Sequence, residues 1–178
     1  MTARNARTSS AVSRVEIARS LGAEDQGEEQ QEDTYFSLGR YRLKLRETSR
    51  GDHRLIGYSR ADDPEARKSQ YRMTPVGSPS SMKLLLSKQW GVKVVVKKTR
   101  HLFLWEGRVR IHLDHVESLG DFLEFEAVLS EDDPDYDECA ALLDVARLRH
   151  DFGIEESDLI ATSYSALAQQ SNEIPSGT

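Results

Sequence analysis

The sequence predicts an α+β fold, a closed or nearly closed antiparallel β-barrel with helices packed outside it. Stretches of alternating apolar and charged residues recur between residues 35 and 129, which is typical of antiparallel strands. Segments with apolar residues at helical spacing flank or interrupt these strands. Charged side chains share one face of each strand and aliphatic side chains the other, which favours a polar interior and an apolar exterior.

The first third of the chain predicts one helix, an acidic segment and a hairpin. A helix is predicted over Ser9–Leu21, where apolar residues recur at threes before Gly22. The acidic segment Glu24–Asp33 has no apolar period and predicts a loop or an exposed edge. Period-two alternation over Arg42–Arg46 and Leu55–Arg60, joined by a Ser-Arg-Gly-Asp turn, predicts two antiparallel strands.

The middle of the chain predicts further strands around one helix. A polar loop over residues 61–68 leads to a short strand, Ser69–Met73, and a helix is predicted over Ser80–Trp90. Strands are predicted over Val92–Leu104 and Arg108–Leu113, with a tight turn at the Glu-Gly between them.

The remainder predicts one more strand, Phe122–Leu129, then a helix that follows Pro134 and ends near His150, and short helical turns. The length of 178 residues fits a single domain over residues 1–170, followed by a polar C-terminal tail, 171–178.

Composition excludes several classes of protein. No stretch approaches 18 uninterrupted apolar residues and the first ten residues are polar, so neither a membrane span nor a secretory signal is predicted. We therefore expect a cytoplasmic protein without a membrane partner. The lone Cys139 excludes an internal disulfide framework and any cysteine-based zinc cluster.

The net charge of -6 hides an uneven distribution of charge. Residues 40–110 carry 18 Lys and Arg against 6 Asp and Glu, a balance of +12, while the flanking residues carry a balance of -18. Within residues 40–110, the bases occupy alternate positions of the predicted strands, so the bases of each strand share one face. Bases on four neighbouring strands would repel one another unless an anion lay between them, and a polyphosphate is the natural candidate.

An acidic strand accompanies the basic ones. Glu124 and Glu126 share a strand face, and Asp114 shares one with Arg110 and His112. Two carboxylates two residues apart predict a site for Mg²⁺ or Mn²⁺ that bridges to phosphate oxygens.

With these pieces in order, the sequence resembles the CYTH domain, the triphosphate-tunnel fold shared by class IV adenylyl cyclases and thiamine triphosphatases. The resemblance extends over about Leu21 to Leu167. It is carried by Asp33-Thr-Tyr-Phe, Gly39-Arg-Tyr-Arg-Leu-Lys-Leu-Arg, Tyr58-Ser-Arg, Lys98-Thr-Arg, Arg110-Ile-His-Leu-Asp, Leu119-Gly-Asp-Phe-Leu-Glu-Phe-Glu and Tyr164-Ser-Ala-Leu. The first two and the last of these look more like the cyclase branch.

The resemblance implies a role for nine residues. The substrate-binding residues, which would contact the triphosphate, are Lys44, Arg46, Arg60, Lys98, Arg100 and Arg110. The acidic residues are Glu124, Glu126 and Asp114; all three would be catalytic, and the two glutamates would hold the metal. The implied ligand is a nucleoside triphosphate or inorganic polyphosphate, and a homodimer is expected because proteins of this family often pair.

One departure from the family pattern bears on activity. The family opens with a Glu-x-Glu-x-Lys strand, and here residues 1–5 read Met-Thr-Ala-Arg-Asn, without either glutamate. Three explanations stay open. The start codon is assigned too late, or the protein binds triphosphate without turnover, or other acids such as Asp114 or Asp121 substitute.

Three functions follow from this reading. As a class IV adenylyl cyclase, the protein would convert ATP to cyclic AMP and pyrophosphate. As a triphosphatase, it would direct water at the terminal phosphoryl group; as a binding module, it would retain polyphosphate or nucleotide only. Nucleic acid is not expected as a partner, because the bases alternate along strands and are not interleaved with aromatic residues.

Overall fold

The computed structural model describes residues 2–7, 11–38, 41–59, 71–129, 133–160 and 162–173. The predicted loop 61–68 lies outside the described residues. Within the described ranges there are eight strands: β1 Thr2–Arg7, β2 Glu24–Leu38, β3 Tyr41–Thr48, β4 Arg54–Ser59, β5 Tyr71–Pro75, β6 Val92–Trp105, β7 Val109–Val116 and β8 Gly120–Ala127. The helices of the same ranges are α1 Ala11–Ser20, α2 Pro79–Trp90, α3 Glu138–Asp151 and α4 Tyr164–Glu173, with a 3₁₀ turn at Glu156–Asp158.

The strands form an antiparallel sheet in the hydrogen-bonded order β1-β8-β7-β6-β2-β3-β4-β5. The α+β class and the antiparallel sheet are therefore confirmed. In the part of the chain that the structure describes, no pairing joins the two end strands β1 and β5. Closure into a barrel is not confirmed and stays a prediction.

The chain divides into two compact units, to which β2 and β6 both contribute residues. The first unit comprises Met1–Glu28, Arg100–His115 and Gly120–Ala161. The second comprises Glu29–Thr99, Val116–Leu119 and Thr162–Thr178.

The first unit has an apolar core between β6, β7, β8 and the helices α1 and α3. Its side chains include Phe103, Ile111, Leu123 and Leu148, each at most 2% exposed. Helix α3 begins at a cap in which the carboxylate of Asp137 accepts a hydrogen bond from the backbone N–H of Ala140 at 2.8 Å, an arrangement that contributes about 1 kcal/mol. Helices thus pack on the apolar face of β7 and β8, as the alternation predicted for these strands requires.

The second unit has a smaller core formed by Phe36, Leu45 and Leu86. Leu45 belongs to the predicted apolar face of β3, so that alternation is confirmed. On β6 the expectation was wrong for Val95, which the alternation placed on an apolar packing face. Val95 is 39% exposed, while Val94 and Val96, on the face of Lys98, are buried. The opposite face is therefore only partly covered at that point.

The acidic segment was predicted as a loop or exposed edge, but it forms the first part of β2, which begins at Glu24. Composition alone indicated a solvated segment because, apart from Arg19, the bases that bind these acids lie far along the chain. Asp25 is bound by His101 at 2.6 Å and by Arg19 at 3.0 Å. Glu32 is bound by Lys83. Pairing with neighbouring strands therefore outweighs the low intrinsic preference of acidic residues for the strand conformation.

Turn chemistry places the remaining boundaries close to the predicted ones. Glu106 and Gly107 have φ of 49° and 71°, as the tight β6–β7 turn requires. Helix α2 begins at Pro79 and ends before Gly91, whose φ is 72°. None of the helices in the described ranges has both the length and the apolar character needed to cross a membrane.

Candidate functional site

Several side chains on the charged faces of β6 and β7 are buried, whereas the side chain of Arg110, on the same face of β7, is 43% exposed. Lys98 is 5% exposed, Arg100 8%, His112 5% and Asp114 2%. Charged side chains are rarely buried unless they are paired, because burial removes them from water. Their partners define two clusters of charged groups, one in each unit.

The cluster of the second unit is built on the β2–β3 hairpin. Asp33 lies directly opposite Arg46 in the antiparallel register, and Tyr35 lies opposite Lys44. One oxygen of Asp33 accepts from Arg46 Nε at 2.7 Å, and the other accepts from Arg46 Nη2 and Lys44 Nζ, both at 2.7 Å. Asp33 is 3% exposed, so a buried carboxylate holds two of the predicted substrate-binding side chains.

The third base of this cluster is Lys98, whose charge acts on Asp33. Its ammonium group lies 5.2 Å from the ring centre of Tyr164, at the start of α4. Arg42 Nη1 donates to the Oγ of Ser163, the residue before Tyr164, at 3.4 Å. Tyr164, the first residue of the Tyr-Ser-Ala-Leu segment, thus lies against Lys98, and the quadrupole of its ring attracts the ammonium group.

The cluster of the first unit centres on Arg100 and Asp114. Arg100 donates through Nε and Nη2 to the two oxygens of Asp114, both at 2.6 Å, in a bidentate pair. Arg100 Nη2 also lies 3.4 Å from Glu124 Oε2. The side chain of Asp114 is fully buried and that of Glu124 is 21% exposed.

The glutamates of β8 lie beside bases of β7. His112 Nδ1 lies 3.4 Å from Glu124 Oε2, and its Nε2 lies 3.7 Å from Glu126 Oε2. Arg110 Nη1 donates to Glu126 Oε2 at 3.2 Å. His112 therefore lies between the two glutamates, and each glutamate has a neighbouring base.

These contacts shift the ionisation of the buried groups. Burial alone would raise the pKa of Asp33, but the charges of Arg46 and Lys44 hold that pKa far below its usual range. Burial likewise opposes the ionisation of Glu124, but its hydrogen bond with His112 and the charge of Arg100 lower its pKa to about 2. Burial and the charge of Arg100 lower the pKa of His112, while its hydrogen bond with Glu124 opposes that shift.

The predicted Mg²⁺ or Mn²⁺ requires oxygen ligands, and Glu124 and Glu126 have the right chemistry. Both glutamates, however, face arginine or histidine. Across the side chains that the structure describes, no three His, Cys, Asp or Glu groups are arranged to hold a metal ion. The metal site on these two glutamates therefore stays a prediction.

The predicted site residues are distributed as follows. Lys44, Arg46 and Lys98 belong to the cluster of the second unit, and Arg100, Arg110, Asp114, Glu124 and Glu126 to that of the first. Arg60 lies outside the described residues. The sequence reasoning assigned no role to Asp33, although it lies two residues before Tyr35 and so shares its strand face.

The first strand also bears on the predicted site. β1 pairs with β8, and Thr2 lies opposite Glu126 in the backbone register, so a strand occupies the place predicted for Glu-x-Glu-x-Lys. It reads Thr-Ala-Arg-Asn-Ala-Arg and contains no acidic residue.

Comparisons with known proteins agree with the resemblance found in the sequence. The model of the CYTH domain family matches residues 5–164. Comparison with curated proteins finds no match to this chain.

Three similar solved structures represent archaea, bacteria and plants. The PH1012 protein from Pyrococcus horikoshii OT3 is 24% identical, with a TM-score of 0.79 over 94% of this chain and 99% of that one. A candidate adenylate cyclase from Vibrio parahaemolyticus is 21% identical, with a TM-score of 0.73 over 95% and 97%. The candidate adenylyl cyclase HpAC1 from Hippeastrum, described as having a dominant triphosphatase activity, is 14% identical, with a TM-score of 0.64 over 98% and 97%. At these identities the likeness is one of fold.

Proposed function

Because this chain belongs to the CYTH domain family, we propose that it binds the triphosphate group of a nucleoside triphosphate or of inorganic polyphosphate. The observation that carries the proposal is the burial of paired bases on strand faces. Lys98 and Arg100 are at most 8% exposed, although each is a cation. Burial of such groups is costly, and an anionic ligand is a physical reason to retain them.

The reaction that we propose is that of the class IV adenylyl cyclases, conversion of ATP to cyclic AMP and pyrophosphate. Bases placed along the triphosphate would stabilise the charge that develops on the phosphoryl oxygens and on the leaving pyrophosphate. His112, whose Nδ1 lies 3.4 Å from Glu124 Oε2 and whose Nε2 lies 3.7 Å from Glu126 Oε2, would hold these carboxylates in place.

A triphosphatase is the second candidate, because the same bases would serve an attacking water. It is favoured by the structural neighbour HpAC1, for which a dominant triphosphatase activity is described. Binding without turnover is the third candidate. It is favoured by β1, which pairs with β8 but has no acidic residue that could complete a metal site.

Product analysis distinguishes the three candidates. The protein is incubated with ATP and Mn²⁺, and separately with inorganic tripolyphosphate and Mn²⁺, and the products are separated by chromatography. Cyclic AMP and pyrophosphate in equal amounts identify a cyclase, and orthophosphate release identifies a triphosphatase. Tight tripolyphosphate binding in calorimetry with no product identifies a binding module.

A matched pair of lysine variants tests the binding itself. Lys98→Met should weaken tripolyphosphate binding at least about tenfold, since it removes a charge-assisted contact. Lys88→Met, on the exposed surface of α2, should leave binding unchanged within about twofold. Equal affinity in both variants, or no binding of tripolyphosphate to the unmodified protein, would refute the proposal.

Two expectations accompany this proposal. Mg²⁺ or Mn²⁺ on Glu124 and Glu126 is expected to be needed for turnover, and chelation with EDTA tests this. A homodimer is expected in solution, and light scattering after size exclusion measures the mass directly.

A further inference from the structure

We infer that Asp33 is a positioning residue of the anion site, which holds the side chains of Arg46 and Lys44 in the arrangement that a triphosphate requires. This inference rests on the proposed triphosphate binding. It adds to the site a residue that is not among the nine predicted site residues. Asp33 is acidic, so it would not itself attract phosphate.

The geometry of the hairpin places the carboxylate beneath the bases. Asp33 and Arg46 are direct cross-strand neighbours, and Lys44 follows two residues away on the same face of β3. The side chain of Asp33 is 4% exposed, whereas those of Lys44 and Arg46 are 13% and 19% exposed. The acid is therefore the most buried member of the group, and the bases extend past it towards solvent.

The hydrogen bonds fix orientation as well as charge. Arg46 uses Nε and Nη2, which lie on one edge of the planar guanidinium, so the plane cannot rotate without breaking a 2.7 Å bond. Lys44 Nζ is bound to the same oxygen as Arg46 Nη2. One carboxylate thus sets the spacing between an ammonium and a guanidinium group.

Charge balance supports the same role. Lys44, Arg46 and Lys98 would repel one another if no anion lay near, and all three act electrostatically on Asp33. The carboxylate of Asp33 thus offsets part of the repulsion among these bases. The alternative is that Asp33 competes with phosphate for the bases, and that alternative predicts the opposite result below.

The test uses inorganic tripolyphosphate as the ligand in calorimetry. Asp33→Asn keeps the shape of the side chain but removes the charge, and we expect binding to weaken at least about tenfold because misplaced binding groups lose affinity steeply. The matched control is Asp52→Asn, since Asp52 also binds an arginine, Arg54, through Nε and Nη2, but at an exposed turn. The control should bind within about twofold of the unmodified protein.

A double-mutant cycle separates positioning from a general effect of charge. If Asp33 acts through Arg46, Asp33→Asn should weaken binding less in an Arg46→Gln background than in the unmodified protein. Equal weakening in both backgrounds would overturn the inference. Binding by folded Asp33→Asn that is as tight as, or tighter than, that of the unmodified protein would also overturn it, because it would show competition.

A measurement on the unmodified protein covers the case in which Asp33→Asn does not fold. In nitrogen-edited NMR, the Arg46 Nε–H should exchange with water more slowly than the Arg54 Nε–H, with and without tripolyphosphate. Equally fast exchange in a protein that binds tripolyphosphate overturns this inference alone. Absence of binding to the unmodified protein instead overturns the proposed function, whatever the Arg46 exchange rate.

Discussion

Replacement of Asp114 by asparagine removes the partner of a buried arginine. Arg100 is 8% exposed and donates two charge-assisted hydrogen bonds of 2.6 Å to Asp114, each worth about 1.5–3 kcal/mol. Asparagine has one oxygen acceptor, so one bond is lost and the other becomes a bond to a neutral group. Glu124 Oε2, 3.4 Å from Arg100 Nη2, still compensates part of the charge.

We therefore expect Asp114→Asn to lower the free energy of unfolding by about 3 kcal/mol, near the lower end of the cost of breaking a buried ion pair. For a chain of this length the corresponding fall in Tm is about 6–12 °C. Urea denaturation followed by circular dichroism measures the free energy, and an unchanged m-value would show that the unfolding transition is comparable.

Two further variants serve as controls for this prediction. Asp52→Asn breaks an exposed pair with Arg54 and should cost less than about 1 kcal/mol. Arg100→Met combined with Asp114→Leu removes both charges of the pair and should recover at least half of the loss, because neither charge is then left buried without the other. A cost below about 1 kcal/mol for Asp114→Asn, or a double variant less stable than the single one, would refute the reasoning.

Three other outcomes are expected. Glu124 has a pKa lowered to about 2 from an ordinary 4.5, so its stabilising contribution is present above pH 4.5 and is lost as the pH falls towards 2. Glu124→Gln should show a flatter decline of urea stability over that interval, and an unchanged decline would contradict this. Leu148→Ala, at a fully buried position in α3, should cost about 2–5 kcal/mol in the same assay. Lys83→Met breaks bonds to Glu32 and Glu47 at a partly exposed site and should cost less than about 1 kcal/mol, so a larger loss would show a stronger pair.

Period-two patterning predicted the strands that carry the site because the alternation is a local property of each strand. Along β7 the aliphatic side chains Val109, Ile111 and Leu113 are buried in the apolar core of the first unit, as expected. His112 and Asp114, on the opposite face, are buried as well. The pattern thus identified which residues share a face.

The same reasoning failed where a residue's state depends on distant partners. Glu24–Asp33 has the composition of a solvated loop, but it forms part of β2, which pairs with neighbouring strands in the sheet order β6-β2-β3. Asp33 was the largest omission from the site. In the sequence it ends an acidic run, and although it opens the Asp-Thr-Tyr-Phe motif, neither composition nor charge spacing assigned it a role in the site.

The sequence by itself determined the family, the antiparallel strands, the sets of charged side chains that share a strand face and most of the bases of the proposed anion site. These follow from alternation and motif spacing, which are local. Only the tertiary structure decided which acid pairs with which base. Asp33 binds Arg46 and Lys44, while Asp114 binds Arg100, 14 residues earlier in the chain. Pairing depends on strand register and burial. A buried charged group pairs with an opposite charge that lies close to it in space, because an unpaired charge is costly in the low dielectric of the protein interior.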